Sequence, residues 1–129
     1  MISFDQFTIK AQEIVKQAID IAKNRDNQKL TPAHFLKAML EVEENVGLSV
    51  LKKITGNVST LSTQTDELLN KIPKVTGDIG EPYFSNTSKQ VFQAAENTAQ
   101  EFQDEYISAE HILLGLIENA DSQLKNLLK

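Results

Sequence analysis

Cysteine and tryptophan are absent from these 129 residues, and there are only three prolines and five glycines. Without cysteine there is no disulfide and no thiolate metal site, and a reducing compartment is permitted. So little proline and glycine, beside a hydrophobic fraction of 40%, makes fibrous and disordered chains poor readings and points to one compact domain. No apolar run approaches the roughly 18 residues needed to cross a bilayer. The opening stretch MISFDQFTIK lacks the basic segment and apolar core of a secretory signal. Positive charge is scarce as well: 13 Lys and Arg against 18 Asp and Glu give a formal net charge of -5. That balance argues against nucleic acid or an anionic membrane as partner. The excess is local, since residues 1–54 carry 8 basic and 7 acidic side chains, 55–83 carry 2 and 4, and 84–129 carry 3 and 7.

Several kinds of catalytic chemistry are missing too. None of the five glycines is followed by lysine, so no P-loop can cradle a nucleotide phosphate. There is no serine nucleophile elbow and no His-Glu-x-x-His pattern.

What the chain does contain is a repeat. At an offset of 77 residues Phe7 falls on Phe84, Ala18 on Ala95, Ala22 on Ala99, His34 on His111, Leu36 on Leu113 and Glu41 on Glu118, without insertion across 7–52 and 84–129. Conservative matches follow the same register, among them Ile14 with Val91, Leu30 with Ile107 and Thr31 with Ser108.

Each copy reads as helices. Ile14, Ala18, Ile21 and Ala22 recur at amphipathic spacing, and the polar run after Asn24 ends that helix. Thr31-Pro32 supplies an N-cap and a proline at the first helical position, ahead of Phe35, Leu36, Met39 and Leu40. Val46 to Ile54 makes a short third helix that stops near Gly56. In the second copy Ser85 or Ser88 starts a helix through Val91, Ala95, Ala99 and Phe102. Ser108 caps the next, and Leu124, Leu127 and Leu128 belong to a last one. Between the copies, Val58 to Ile72 reads as a connecting helix and PKVTGDIGEPYFS as a loop. No stretch alternates as a half-buried strand would. The expected fold is all-α, with seven helices in two similar bundles packed face to face. It divides into repeat one (4–54), a connecting helix and loop (55–83) and repeat two (84–129).

The two histidines occupy matching places three residues after each helix cap. A metal-binding or catalytic pair is one reading. The stronger one is that each packs at a helix N-terminus and hydrogen-bonds locally, because catalytic sites rarely duplicate with the fold and no carboxylate or cysteine cluster converges on them. Asp104, Glu105 and Glu110 bracket the turn before Ser108, and Glu110 stands in a helix first turn, where the dipole favours negative charge. On local grounds capping and solvation explain these acids.

The stretches LTPAHFLKAML and YISAEHILLGLIE resemble the duplicated Clp N-terminal repeat. PKVTGDIGEPYFS and DEYISAEH are similar to the ClpB-type AAA+ disaggregases rather than to their protease-linked relatives. The resemblance runs from Phe4 to Leu128. It implies a twofold-related helical domain, tethered to ATPase modules that form a homohexamer using ATP and magnesium, with no cofactor in this chain. The partners it implies are unfolded or aggregated polypeptides, with no nucleic acid and no membrane, and the location it implies is cytoplasmic or an organellar matrix. One further helix and the ATPase modules are expected beyond the last residue here. The alternative is the adaptor-binding N-domain of a protease-associated unfoldase. Carried over by position, the family's substrate-handling residues are Thr8 in FDQFTIKAQ, Asp104 before the second cap and Glu110 two residues after it. Phe92 aligns with an apolar groove position. Ala94, Thr98 and His111 stand where some relatives have leucine, which implies a shallower or more polar groove. Thr8, Asp104 and Glu110 are expected to meet beside an apolar depression that includes Phe92.

Overall fold

The computed structural model describes residues 4–77 and 80–119. Six α-helices dominate: α1 (Ile9–Asn24), α2 (Pro32–Glu41), α3 (Val46–Thr55), α4 (Val58–Asn70), α5 (Asn86–Glu101) and α6 (Ala109–Asn119). The helix expected around Leu124 to Leu128 lies outside the described residues. The fold is all-α, as the periodicity implied.

Each helix begins where its sequence supplies a cap. The Thr8 hydroxyl accepts from the Ala11 amide (3.2 Å) and the Ser85 hydroxyl from the Ser88 amide (3.1 Å). Asn45 and Asn57 do the same for α3 and α4. Gly56 stops α3 in the left-handed region at φ 71°, which glycine adopts without a Cβ clash. α4 ends at Asn70, two residues short of the expected Ile72. The Ile72 amide still donates to Leu69 (3.1 Å), so the last turn tightens instead of continuing.

The periodicity did not show that the copies are interlocked by short strands. β1 (Lys29–Leu30) pairs in parallel with β2 (Tyr83–Phe84), and Phe7 bridges Ile107 in the same sense. Under the 77-residue register these are one pairing made twice: Leu30 corresponds to Ile107, and Phe84 to Phe7. The matching hydrogen bonds are Thr8 N to Ile107 O (2.9 Å) and Ser85 N to Leu30 O (3.0 Å). Each copy therefore lends the residues ahead of its first helix to the other copy's second helix.

The core lies where the copies cross. Phe92 stacks on Phe7 with centroids 5.8 Å apart, meets Phe35 edge-on at 4.8 Å and tilts against Phe84 at 5.2 Å. Around them pack Ile14, Val15, Leu36, Met39, Val91, Ile112 and Leu116, all buried. Each such side chain contributes about 1.5–3 kcal/mol on removal from water. α4 lies along α2, burying Leu61, Thr65 and Leu69.

Candidate functional site

The site is built on a turn that occurs twice. After α1 the amides of Arg25, Asp26 and Asn27 donate to Ile21 (3.1 Å), Lys23 (3.2 Å) and Ala22 (2.8 Å). After α5 the amides of Phe102, Gln103 and Asp104 donate to Thr98 (3.1 Å), Gln100 (3.0 Å) and Ala99 (2.8 Å), each acceptor 77 residues on. The central residues, Asp26 and Gln103, are both left-handed at φ 59°. Such closure satisfies the last carbonyls of each helix.

The histidines lock the turn to the next helix. The Thr31 amide donates to His34 Nδ1 (2.9 Å), and the Ser108 amide to His111 Nδ1 (2.8 Å). An amide can only donate, so Nδ1 is the acceptor and the ring proton sits on Nε2. From there His34 donates to Asn27 Oδ1 and His111 to Asp104 Oδ2, both at 2.9 Å. The local, structural reading of the pair accounts for both rings. His34 is fully buried, and that burial, with the positive charge of Arg25 added, lowers its pKa to about 4.

Three of the four expected site residues lie on segments joined by a backbone hydrogen bond. Thr8 caps α1 and is tied by its amide to Ile107. Ile107 stands in the short connection between the Asp104 turn and the first turn of α6, which carries Glu110. Thr8 is half-buried, while Asp104 and Glu110 are exposed. Phe92 is placed differently. It is 1% exposed, so the expected depression does not include its ring. The stripe Ser88, Val91, Phe92, Ala95, Ala99 faces the core, and Phe92 supports the seam from inside. Ala94 and Thr98 are half-buried, and the Thr98 hydroxyl bonds back to the Ala94 carbonyl (2.9 Å) within α5.

The repeat sets this seam against its own counterpart. At the other end Ser85, Asn27 and Ala33 take the places of Thr8, Asp104 and Glu110, and Asn27 and Ala33 are buried. That end is covered by the connector. The Val75 amide donates to the Asp26 carbonyl (2.9 Å), Asn27 Nδ2 reaches the Pro73 carbonyl (3.4 Å), and α4 brings Asp66 against Arg25 (3.3 Å) and Lys37 (3.0 Å). At the Thr8 end the residues matching Arg25, Lys29, Lys37 and Asn86 are Phe102, Tyr106, Leu114 and Ile9. All four are exposed, Ile9 at 75%, Phe102 at 66% and Tyr106 at 52%. This seam therefore carries exposed apolar side chains together with the exposed Asp104 and Glu110. The carboxylates were legible in the sequence; Phe102, expected in one helix with the apolar Val91, Ala95 and Ala99, instead follows the end of α5 at Glu101 and is exposed, and Ile9, Tyr106 and Leu114 were not singled out, although aligning the two copies position by position reveals them.

The family model for the Clp repeat (R) N-terminal domain matches residues 6–129. The chain is 38% identical over 127 residues to the chaperone protein ClpB of Bacteroides thetaiotaomicron, covering 98% of this chain and 14% of that protein. The chain thus spans about one seventh of the length of that relative. Among solved structures the Hsp104 N-terminal domain from Candida albicans is similar at a TM-score of 0.83 and 28% identity, over 95% of this chain and 79% of that one. A ClpV N-domain solved in complex with a VipB peptide shares the fold at a TM-score of 0.76 and 16% identity, over 96% of this chain and 78% of that one.

Proposed function

The chain belongs to the Clp repeat N-terminal domain family, and from that premise we propose that it is the substrate-recognition module of a ClpB-type disaggregase. In this reading it binds unfolded or aggregated polypeptides and delivers them to ATPase modules of a hexameric parent, which use ATP and magnesium, while the module itself catalyses nothing. The observation that carries the reading is the contrast between the two seams. One fold element is built twice; at the Asn27 copy the chain's own connector bonds to the turn and Asn27 and Ala33 are buried, whereas at the Asp104 copy, among the described residues, Asp104, Glu110, Ile9, Phe102, Tyr106 and Leu114 are exposed. Burial of apolar surface is non-directional and demands no sequence motif, which suits partners that share only their lack of structure. Asp104 and Glu110 would steer positively charged segments to the seam and make encounter salt-sensitive.

The double substitution Asp104→Ala and Glu110→Ala tests the reading. Affinity for a permanently unfolded polypeptide, followed by anisotropy, is expected to fall about ten-fold at low salt, with the helical circular dichroism unchanged. Unchanged affinity, or weakening only in step with lost helix, would return both acids to a capping role.

A further inference from the structure

α3 leaves part of its apolar surface in water. Its buried side carries Gly47, which faces Met39, and Leu51. Val46, Val50, Lys53 and Ile54 recur at i, i+4, i+7 and i+8 and so share one stripe of the helix. Val46 and Ile54 are each at least half exposed, and Val50 is half-buried. Lys52 and Lys53, in the last turn, are exposed and form no ion pair among the described residues, whereas Lys10, Lys23, Arg25 and Lys37 are paired with Glu13, Glu81 and Asp66. The helix dipole accounts for cations at this end. It does not account for three apolar side chains beside them.

The stripe begins close to the first turn of α1. Lys10, the neighbour of the exposed Ile9, donates to the Glu43 carbonyl (3.0 Å), just ahead of α3. α3 also packs against α6, whose exposed Glu110, Leu114 and Ile117 again share one stripe, at i, i+4 and i+7. Glu101, Glu105 and Glu110 are exposed and form no ion pair among the described residues. From Val46 to Ile54 α3 rises about 12 Å, which carries Lys52 and Lys53 away from α1's first turn. Two neighbouring helices thus expose apolar stripes, with unpaired lysines at the end of one and an unpaired acid at the start of the other.

We propose that this side of the molecule is a self-complementary face on which a second copy of the chain docks. In an isologous pair the α3 and α6 stripes meet around the twofold axis, and Lys52 and Lys53 of each copy reach the acids at 101–110 of the other. Charge selects a second copy as the occupant. The chain holds both halves of the match, basic and acidic with apolar side chains between, and a twofold rotation lays each half on the other. The uneven charge of the sequence agrees: residues 1–54 carry 8 basic and 7 acidic side chains, residues 84–129 carry 3 and 7. The contact is small and its ion pairs are open to water, so the association is weak and salt-dependent. The inference does not depend on the substrate-recognition reading.

Sedimentation equilibrium of the chain tests it. At low ionic strength a monomer–dimer equilibrium is expected, weakening about ten-fold when salt rises from about 20 mM to about 200 mM. Lys52→Glu with Lys53→Glu should weaken dimerisation by at least about ten-fold. Adding Glu101→Lys and Glu105→Lys to that chain should restore it to within about three-fold of the parent. If circular dichroism shows that the lysine variant loses helix, Ile54→Ser, at an exposed position, takes its place and should weaken dimerisation by a similar factor. A chain still monomeric at about 1 mM leaves the stripe to some other partner and overturns the proposal. Open-ended association, a dimer indifferent to salt and to these substitutions, or a charge swap that restores nothing overturns it as well.

Discussion

Asn27 and Asp104 are held alike by a histidine Nε2 at 2.9 Å, yet their surroundings make them unequal. Asn27 is 1% exposed and needs its amide protons for Pro73; Asp104 faces water. Asn27→Asp is expected to destabilise the fold by about 1–2 kcal/mol, because it buries a carboxylate oxygen against a carbonyl with no donor between them. Asp104→Asn is expected to change stability by no more than about 0.5 kcal/mol. Urea midpoints of the two variants check the asymmetry. His34 adds a pH dependence. Burial holds its pKa near about 4, below the roughly 6.5 of an unfolded chain. Between those values the unfolded state binds the extra proton, so stability is full above about pH 6.5 and falls as the pH drops toward about 4, by on the order of 2–3 kcal/mol. Denaturant midpoints across that window should slope down in the parent and flatten in His34→Gln, since glutamine at that helix position can also accept the cap amide.

The crossing of α5 and α6 is tighter than its counterpart. A Cβ on Gly115 would press into the Val91 carbonyl oxygen, whereas the matching residue in α2 is Ala38, fully buried and accommodated. Alanine at a helix interior normally gains about 1 kcal/mol over glycine. Here the backbone contact outweighs that gain, and Gly115→Ala is expected to lower stability by about 1–3 kcal/mol, read as a drop in Tm, with α5 amides exchanging faster. The helices themselves were legible because their signals are local: caps at Thr31 and Ser108, a start at Ser85, the stop at Gly56, and stripes such as Ile14, Ala18, Ile21. The strands were not, since two residues carry no alternation, and Leu30 pairs with Phe84 across 54 positions. The groove expectation for Phe92 rests on its alignment with an apolar groove position of the family, and alignment does not declare whether an apolar residue meets solvent or core. The stripe it shares with Val91 and Ala95 is the signal that points inward.

At the scale of the molecule, the connector breaks the twofold arrangement among the described residues. Residues 58–75 leave repeat one and pack against its own turn and α2, so that end needs Arg25 and Lys37 to meet Asp66. The other end keeps the same backbone, and its side chains have become apolar and acidic. Part of this was legible in the sequence: the offset of 77 and the acids after Phe102 are visible there. Which seam the connector covers depends on tertiary packing, and pattern alone does not give it. We propose the seam at Asp104 as the binding surface and the one at Asn27 as its inert twin, and a two-dimensional amide titration of the labelled chain with a permanently unfolded protein compares them within one molecule. Shifts are expected at Thr8, Ile9, Phe102 to Tyr106 and Glu110, with Asn27, Ala33 and Ser85 unmoved; equal shifts at both seams, or shifts confined to the sealed one, would contradict it.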